Sequence, residues 1–257
     1  MPYDPRVDKV ASILVSYSAQ VREGDLVMIH LYDPLSEPLA LEVYKHVLLA
    51  GGNAIFRAEP AGYEEVLLRY GTDKQIAFTN PQHLWMMENI DVRMALRSSS
   101  NTRRLSTYDP KKVSSLLKSA GPISEVFMKR QASGALRWVL TQHPTESAAQ
   151  DADMSLTEYE DFIYGACMVN LDDPLAYWQA KSAEQQRLID WLKGKKHVTV
   201  KGEHIDLSLS IEDHIFLNAD GKHNFPDGEI FTGPVESSVN GWVRFTYPAI
   251  YGGREVE

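Results

Sequence analysis

The densest concentration of chemistry-bearing residues is the run Asn224-Phe225-Pro226-Asp227-Gly228-Glu229-Ile230-Phe231-Thr232-Gly233-Pro234. Prolines and glycines constrain the backbone on both sides of one carboxylate, Glu229. A carboxylate held in place before its cation arrives is what a metal ligand requires. Read from residue types alone, an ordinary hairpin glutamate facing solvent is the simpler account. Asp227 and Glu236 flank it, and either could orient Glu229 or a bound water. The alternative for Asp227 is turn chemistry in Pro-Asp-Gly, which is favoured, and for Glu236 a solvated position. The only cysteine is Cys167, so any metal site must be built from His, Asp, Glu or Tyr, not from paired thiolates.

Other candidates are weaker. His204 and Asp206 sit two apart on an expected strand, with His214 and His223 downstream, and His-x-Asp places both side chains on one face. A separate metal site from these histidines is the less favoured reading. Arg97-Ser98-Ser99-Ser100-Asn101-Thr102-Arg103 follows an expected strand and could cradle a phosphate with backbone amides. It lacks Gly-x-Gly-x-x-Gly spacing, so a polar loop at a strand end is preferred. Cys167 lies on an apolar helical stretch and reads as a buried, inert thiol. Trp138, Trp178, Trp191 and Trp242 read as core or interface aromatics.

The elements that must position these groups fall into two kinds. Up to Gly194, helical and strand-like segments alternate. Leu26–His30, Asn53–Arg57, Val92–Leu96 and Arg137–Thr141 read as strands. Val7–Tyr17, Pro38–Ala50, Tyr63–Tyr70, Pro81–Asn89, the segment opened by Asp109-Pro110, and the segment from Asp173-Pro174 to Gly194 read as helices. Ser155-Leu156-Thr157-Glu158 has the form of a capping box opening another helix. This alternation predicts an α/β fold with an open, mostly parallel sheet as the N-terminal domain, residues 1–194. Beyond it, His197–Val200, Asp206–Ser210, His214–Leu217 and Gly241–Tyr247 read as strands between turn residues. Residues 195–257 are therefore expected to be an antiparallel β-rich segment. Tyr251-Gly252-Gly253-Arg254 reads as a hairpin turn and Glu255-Val256-Glu257 as the start of a further strand, which suggests a truncated chain.

Composition narrows the partners. The 257 residues carry a net charge of −9 without a basic run, which argues against nucleic acid and anionic membranes. The N-terminal residues MPYDPRVDKV lack an apolar signal region, no apolar run is long enough to span a bilayer, and one cysteine suits a reducing, cytoplasmic setting.

The segment around Glu229, continued through Val235–Gly241 and Phe245–Pro248, resembles the thermophilic metallo-aminopeptidases of the aminopeptidase T and aminopeptidase S type. His143-Pro144-Thr145, Ala149-Gln150, Met154–Phe162, Asp172–Trp178 and Asp206-Leu207-Ser208 carry the same likeness, which spans essentially the whole chain and is strongest from Trp138 onward. His204 is a departure, standing where the family usually has a Thr-Asp-Leu type sequence. The resemblance implies a hydrolase that releases N-terminal residues from small peptides with two divalent cations (Zn, Co or Mn), acting as a homodimer. It makes Glu229 a metal ligand and residues 195–257 the start of the catalytic domain. It also implies that the remaining ligands, a second glutamate, two histidines, a tyrosine and an aspartate, lie beyond this chain. No catalytic residue is assignable here, Glu236 stands as a second residue orienting the site, and the isolated chain is expected to be inactive and to bind metal weakly. The alternative is a non-catalytic α/β module for ligand binding or assembly.

Overall fold

The computed structural model describes residues 4–246, 249–251 and 254–256, the last two segments by their backbone. Strand β1 (Leu26–Leu31) is buried on both faces along almost its whole length, as its continuous apolar sequence requires. It pairs in parallel with β2 (Asn53–Ala58) on one side and with β3 (Val92–Arg97) on the other. β3 in turn pairs in parallel with β4 (Arg137–Gln142). The fifth neighbour is β8 (Asn224–Phe225), a short parallel addition to β4, giving the order β2-β1-β3-β4-β8.

Helices fill the crossovers and are closed by local signals. α1 (Pro5–Ile13) is capped by the Asp4 carboxylate on the Arg6 amide and passes into a π turn, Leu14–Ser18. α2 (Glu37–Leu49) ends at Gly51, whose φ of +80° is the left-handed stop that glycine allows. α3 (Tyr63–Tyr70), α4 (Asp73–Ile76), α5 (Pro81–Asn89), α6 (Pro110–Ser119) and α7 (Gly121–Ala132) follow. After β4 come α8 (Glu146–Asp151), α9 (Leu156–Ala166) and α10 (Pro174–Leu192). The capping box at α9 is formed as expected: the Ser155 amide and hydroxyl both donate to Glu158, and the Glu158 amide donates to the Ser155 hydroxyl.

Register divides the sheet into two faces. Residues paired across a parallel ladder share a face, so Met28 lies with Ile55 and Arg93. Met28 packs on that face with Met86 and Met87 of α5, Ile90 just after it, Ile123 of α7, and Leu136 just before β4. Each fully buried side chain of this size contributes roughly 1.5–3 kcal/mol by leaving water.

The antiparallel part is also as expected, with two changes of boundary. β5 (His197–Gly202) and β6 (Ile205–Ser210) form a hairpin, and β10 (Asn240–Val243) pairs with β6 on its other edge. β7 (Leu217–Ala219) pairs with β9 (Glu229–Phe231). The expected strand at His214–Leu217 begins only at its last residue. The His214 amide donates to the Ile211 carbonyl and Asp213 has a φ of +62°, so the chain turns there. The expected strand Gly241–Tyr247 is extended only over Asn240–Val243; residues 244–246 leave the ladder, and Tyr247 lies outside the described residues. β11 (Ala249–Tyr251) and β12 (Arg254–Val256) pair antiparallel as the hairpin reading requires, while its turn residues Gly252 and Gly253, and Glu257, are outside the described residues.

A boundary near residue 195 divides the chain by the character of its elements, but packing groups them differently. One compact unit comprises Met1–Tyr177 with Gly221–Pro226, and the other Trp178–Asp220 with Asp227–Glu257. The first contains the parallel sheet, completed by the 221–226 excursion that supplies β8. The second contains the C-terminal part of α10 and the antiparallel strands. No helix among the described residues is long and apolar enough to cross a membrane.

Candidate functional site

Glu229 opens β9, directly opposite Ala219 of β7. The two strands meet through the Asp227-Gly228 turn, where Gly228 has a φ of +135° and its amide donates to the Ala219 carbonyl and the Asp227 carboxylate, both at 3.0 Å. A positive φ of this size suits glycine, so the Pro-Asp-Gly turn chemistry of Asp227 is realised. The pair is tied to α10 by Gln185, which is 5% exposed. Its Nε2 donates to the Glu229 carbonyl at 2.6 Å, to Asn218 Oδ1 at 3.1 Å and to the Ala219 carbonyl at 3.3 Å. One turn earlier, the Ser182 hydroxyl donates to the Asp220 carboxylate at 2.6 Å, and the Asn218 amide donates to the Ser182 carbonyl at 3.1 Å.

The result is a fixed backbone beneath an exposed Glu229 side chain, whose carboxylate has no hydrogen bond or ion pair among the described residues. Burial raises the Asp227 carboxyl above its usual range despite the Gly228 amide, and the negative charges of Glu229 and Asp220 push it the same way. The surroundings of Glu229 are therefore acidic. Glu236 begins a short 3-10 turn, Glu236–Ser238, that the Ser238 hydroxyl anchors by accepting from the Ser210 amide at 2.8 Å. Its side chain is exposed, and no hydrogen bond or ion pair joins it to Glu229 among the described residues.

The histidines weighed with Asp206 do not gather into a metal cluster among the described residues. His204 lies in the β5–β6 turn, off the strand that carries Asp206, and Asp206 faces Lys201 at 3.7 Å. His223 belongs to the parallel-sheet unit, where its ring lies 5.0 Å from that of Trp138 and its carbonyl accepts from the Leu140 amide. One group with ligand-like spacing does occur among the described residues, Asp8, Glu42 and His46. It already has a cation: the Lys45 ammonium sits 2.8 Å from Asp8 and pairs with Glu42, and His46 Nε2 is 2.7 Å from Asp8. A surface ion-pair network accounts for it.

The loop after β3 is no phosphate cradle. The buried Asp33 carboxylate occupies the place an anion would take, accepting from the Ser100 amide at 3.1 Å, the Ser100 hydroxyl at 2.9 Å and Arg104 at 3.4 Å. It also accepts from the Leu35 amide at 3.1 Å, while Ser98 donates to its backbone carbonyl. The crevice at the strand-order reversal between β1 and β3 is thus closed by the protein's own acid. Cys167 is buried and its thiol is pushed up to about 12, in keeping with an inert role. Trp178 is a core residue, whereas Trp191 and Trp242 are more than half exposed.

Sequence reasoning missed a second constellation. His30, Arg57, His83 and Arg93 line a cavity of about 960 Å³ on the Met28 face of the parallel sheet. Burial, with the nearby Arg93, Arg57 and His83, lowers His30 to about 2; burial with Arg57 and Arg93 lowers His83 to about 4. Both rings are therefore neutral near pH 7. The available signal was the basic residue inside each strand, Arg57 and Arg93, whose common face only the register reveals.

Comparison with known proteins gives a family match across residues 3–257 to the group described as thermophilic metalloprotease (M29). The chain is 21% identical over 277 aligned positions to Aminopeptidase 2 of Geobacillus stearothermophilus, covering 99% of this chain and 67% of that protein. It is 24% identical over 176 positions to Aminopeptidase AmpS of Bacillus subtilis (strain 168), covering 62% of this chain and 43% of that one. Its fold superposes on wild-type AmpT from Thermus thermophilus with a TM-score of 0.82 at 17% identity, over 98% of this chain and 67% of that structure. The chain thus spans about two thirds or less of the length of these relatives.

Proposed function

Because the chain belongs to the thermophilic metalloprotease (M29) family, we propose that it forms part of a metal-dependent aminopeptidase releasing N-terminal residues from small peptides, with Glu229 as one metal ligand. The observation that carries the reading is the family match over nearly the whole chain. Locally it is supported by a carboxylate without a partner among the described residues, on a strand whose backbone Gln185 holds at the Glu229 carbonyl.

The family chemistry calls for two divalent cations, zinc, cobalt or manganese, and the residues present fit one position of such a centre. When bound, a cation pair polarises the scissile carbonyl and lowers the pKa of the attacking water. The part played by this chain is positional. Gln185 fixes the main chain of Glu229, the Asp227-Gly228 turn sets the direction in which the strand leaves, and exposed Glu236 orients a water or the ligand carboxylate. A single carboxylate does not hold two catalytic cations, since each needs several protein ligands. The 257-residue polypeptide is accordingly inactive alone and binds divalent cations weakly. A homodimer working in the cytoplasm completes the proposal.

The test compares the 257-residue chain with any longer in-frame product of the same gene, using leucyl dipeptides with cobalt, zinc or chelator. The longer product is expected to hydrolyse them in a chelator-sensitive manner and to lose that activity on Glu229→Gln with its fold intact. Tight stoichiometric zinc binding by the 257-residue chain, or chelator-insensitive hydrolysis, would overturn the assignment.

A further inference from the structure

We propose that the cavity on the Met28 face of the parallel sheet binds a small organic carboxylate, its charged end received by Arg93, His30 and His83 and its apolar body lying against Phe127 and Met87. All the lining residues belong to the parallel-sheet unit, so the site is independent of Glu229.

Unmet hydrogen-bonding capacity is the first observation. His30 is 96% buried, being 4% exposed, and its Nδ1 has no hydrogen-bond partner; His83 Nε2, Arg57 Nε and Arg93 Nε are likewise buried and unpartnered. Buried polar groups in native proteins are nearly always satisfied, and isolated exceptions are few. Here four line one cavity, two of them on rings whose centroids are 5.6 Å apart. A neutral imidazole carries one N–H and can present it to an acceptor in the cavity.

Charge is the second. The lining carries Arg57, Lys74 and Arg93 against Glu59 and Glu64. Arg57 pairs with Glu59, whereas Arg93 has no carboxylate within ion-pair reach among the described residues. Its guanidinium is held by the Tyr32 hydroxyl at 2.7 Å and by the Phe127 ring, whose centroid lies 5.2 Å from the guanidinium carbon. Ordered water could satisfy the nitrogens, but it leaves this charge uncompensated in a partly dehydrated place. One surplus positive charge matches a monoanionic carboxylate better than a phosphate dianion.

Shape agrees. The volume lies at the upper end of the range for small-ligand pockets, and Phe78, Met87, Ile123 and Phe127 give the lining an apolar part beside the polar Gln75 and Asn80. Tyr32 and Phe78, 39% and 64% exposed, stand at the solvent side of the lining and leave a way in. The register that makes the site is simple: His30 pairs with Arg57 and Met28 with Arg93, so three adjacent strands place their polar groups on one face.

The experiment titrates the full 257-residue chain near neutral pH with acetate, phenylacetate and 3-phenylpropionate, with phenylacetamide as the uncharged control and phenyl phosphate as the dianion. Calorimetry reads affinity, and nitrogen spectra of the imidazoles read the site. An aryl carboxylate is expected to saturate, with the amide at least about tenfold weaker because Arg93 then stays unpaired. The His30 and His83 ring nitrogens should shift with the same midpoint. Arg93→Met should weaken the carboxylate at least about tenfold without altering peptide hydrolysis by an active longer product, and Arg93→Lys should restore part of the loss. If Arg93→Met does not fold, the imidazole shifts of the unaltered chain decide. Failure of every carboxylate to saturate, equal binding of the amide, tighter binding of phenyl phosphate, or saturation without a shift at either ring each overturns the proposal.

Discussion

Replacing Gln185 by leucine tests whether one amide holds the Glu229 strand in place. Leucine nearly conserves the volume of glutamine, so the cavity penalty that dominates truncation to alanine is small. What disappears is Nε2 and its bonds to the Glu229 carbonyl, Asn218 Oδ1 and the Ala219 carbonyl. Asn218 retains its own tie to Ser182, and the Ala219 carbonyl keeps the Gly228 amide, so the Glu229 carbonyl loses most. The acceptor left unmade is partly buried, and such a loss costs about 1–3 kcal/mol. Part of that is returned, because Gln185 Oε1 is itself buried without a hydrogen-bond partner. The expected net cost is about 2 kcal/mol, which is about thirtyfold in the opening equilibrium that amide exchange reports. Exchange at the β7 and β9 amides together with the urea midpoint is the assay. Gln185→Glu supplies a pH signature. The introduced carboxyl would face carbonyl oxygens, so its folded-state pKa would lie above the unfolded value. Stability should then be near that of the parent at acid pH, fall as pH rises through the ordinary glutamate range, and level off above the folded-state value. Unchanged exchange in the leucine variant, or a glutamate variant insensitive to pH, would refute the reasoning.

Asp33→Ala should cost about 3 kcal/mol or more in urea unfolding, because it leaves the mostly buried Arg104 without its acid and strips the Ser100 amide of its acceptor. Gly241→Ala should cost about 3 kcal/mol. Gly241 has a φ of +125°, and an added methyl would fall 2.0 Å from the Asp206 carbonyl oxygen across the β6–β10 ladder. A melting temperature equal to that of the parent would contradict that close approach. Alkylation of Cys167 at mildly alkaline pH should be negligible in the native protein and rapid in urea, since burial keeps the thiol protonated. Rapid native labelling, read by mass spectrometry, would show that the site opens.

The parallel sheet was legible because its signals are local. Leu26–His30 is apolar without interruption, Gly51-Gly52 closes the preceding helix, and the Ser155–Glu158 box marks a helix start within four residues. Two features were not legible because they depend on distant partners. Asn224-Phe225 reads as part of a turn-rich segment, and becomes a strand only because β4 offers it an edge. The His30, Arg57 and Arg93 cluster requires the register of three strands, and each residue alone resembles a polar position at a sheet margin. Glu229 lies between these cases. Its rigid neighbours Pro226, Asp227 and Gly228 were visible, but the clamp that fixes it comes from Gln185 on a helix far upstream.

The excursion of residues 221–226 into the parallel sheet sets an order of events during synthesis. As the chain leaves the ribosome, β1 to β4 can assemble once Gln142 has emerged, but the outer edge of β4 then has no neighbour until Asn224 and Phe225 follow. In that interval the nascent sheet presents an open margin, the kind of surface that recruits the wrong strand from another chain. The Lys222 ammonium, 5.4 Å from the Tyr17 ring, and the His223 ring beside Trp138 then fasten the late arrival. A gene cut at residue 194 would therefore yield a polypeptide arrested in that interval, with its sheet complete in sequence up to β4 and permanently lacking its last strand.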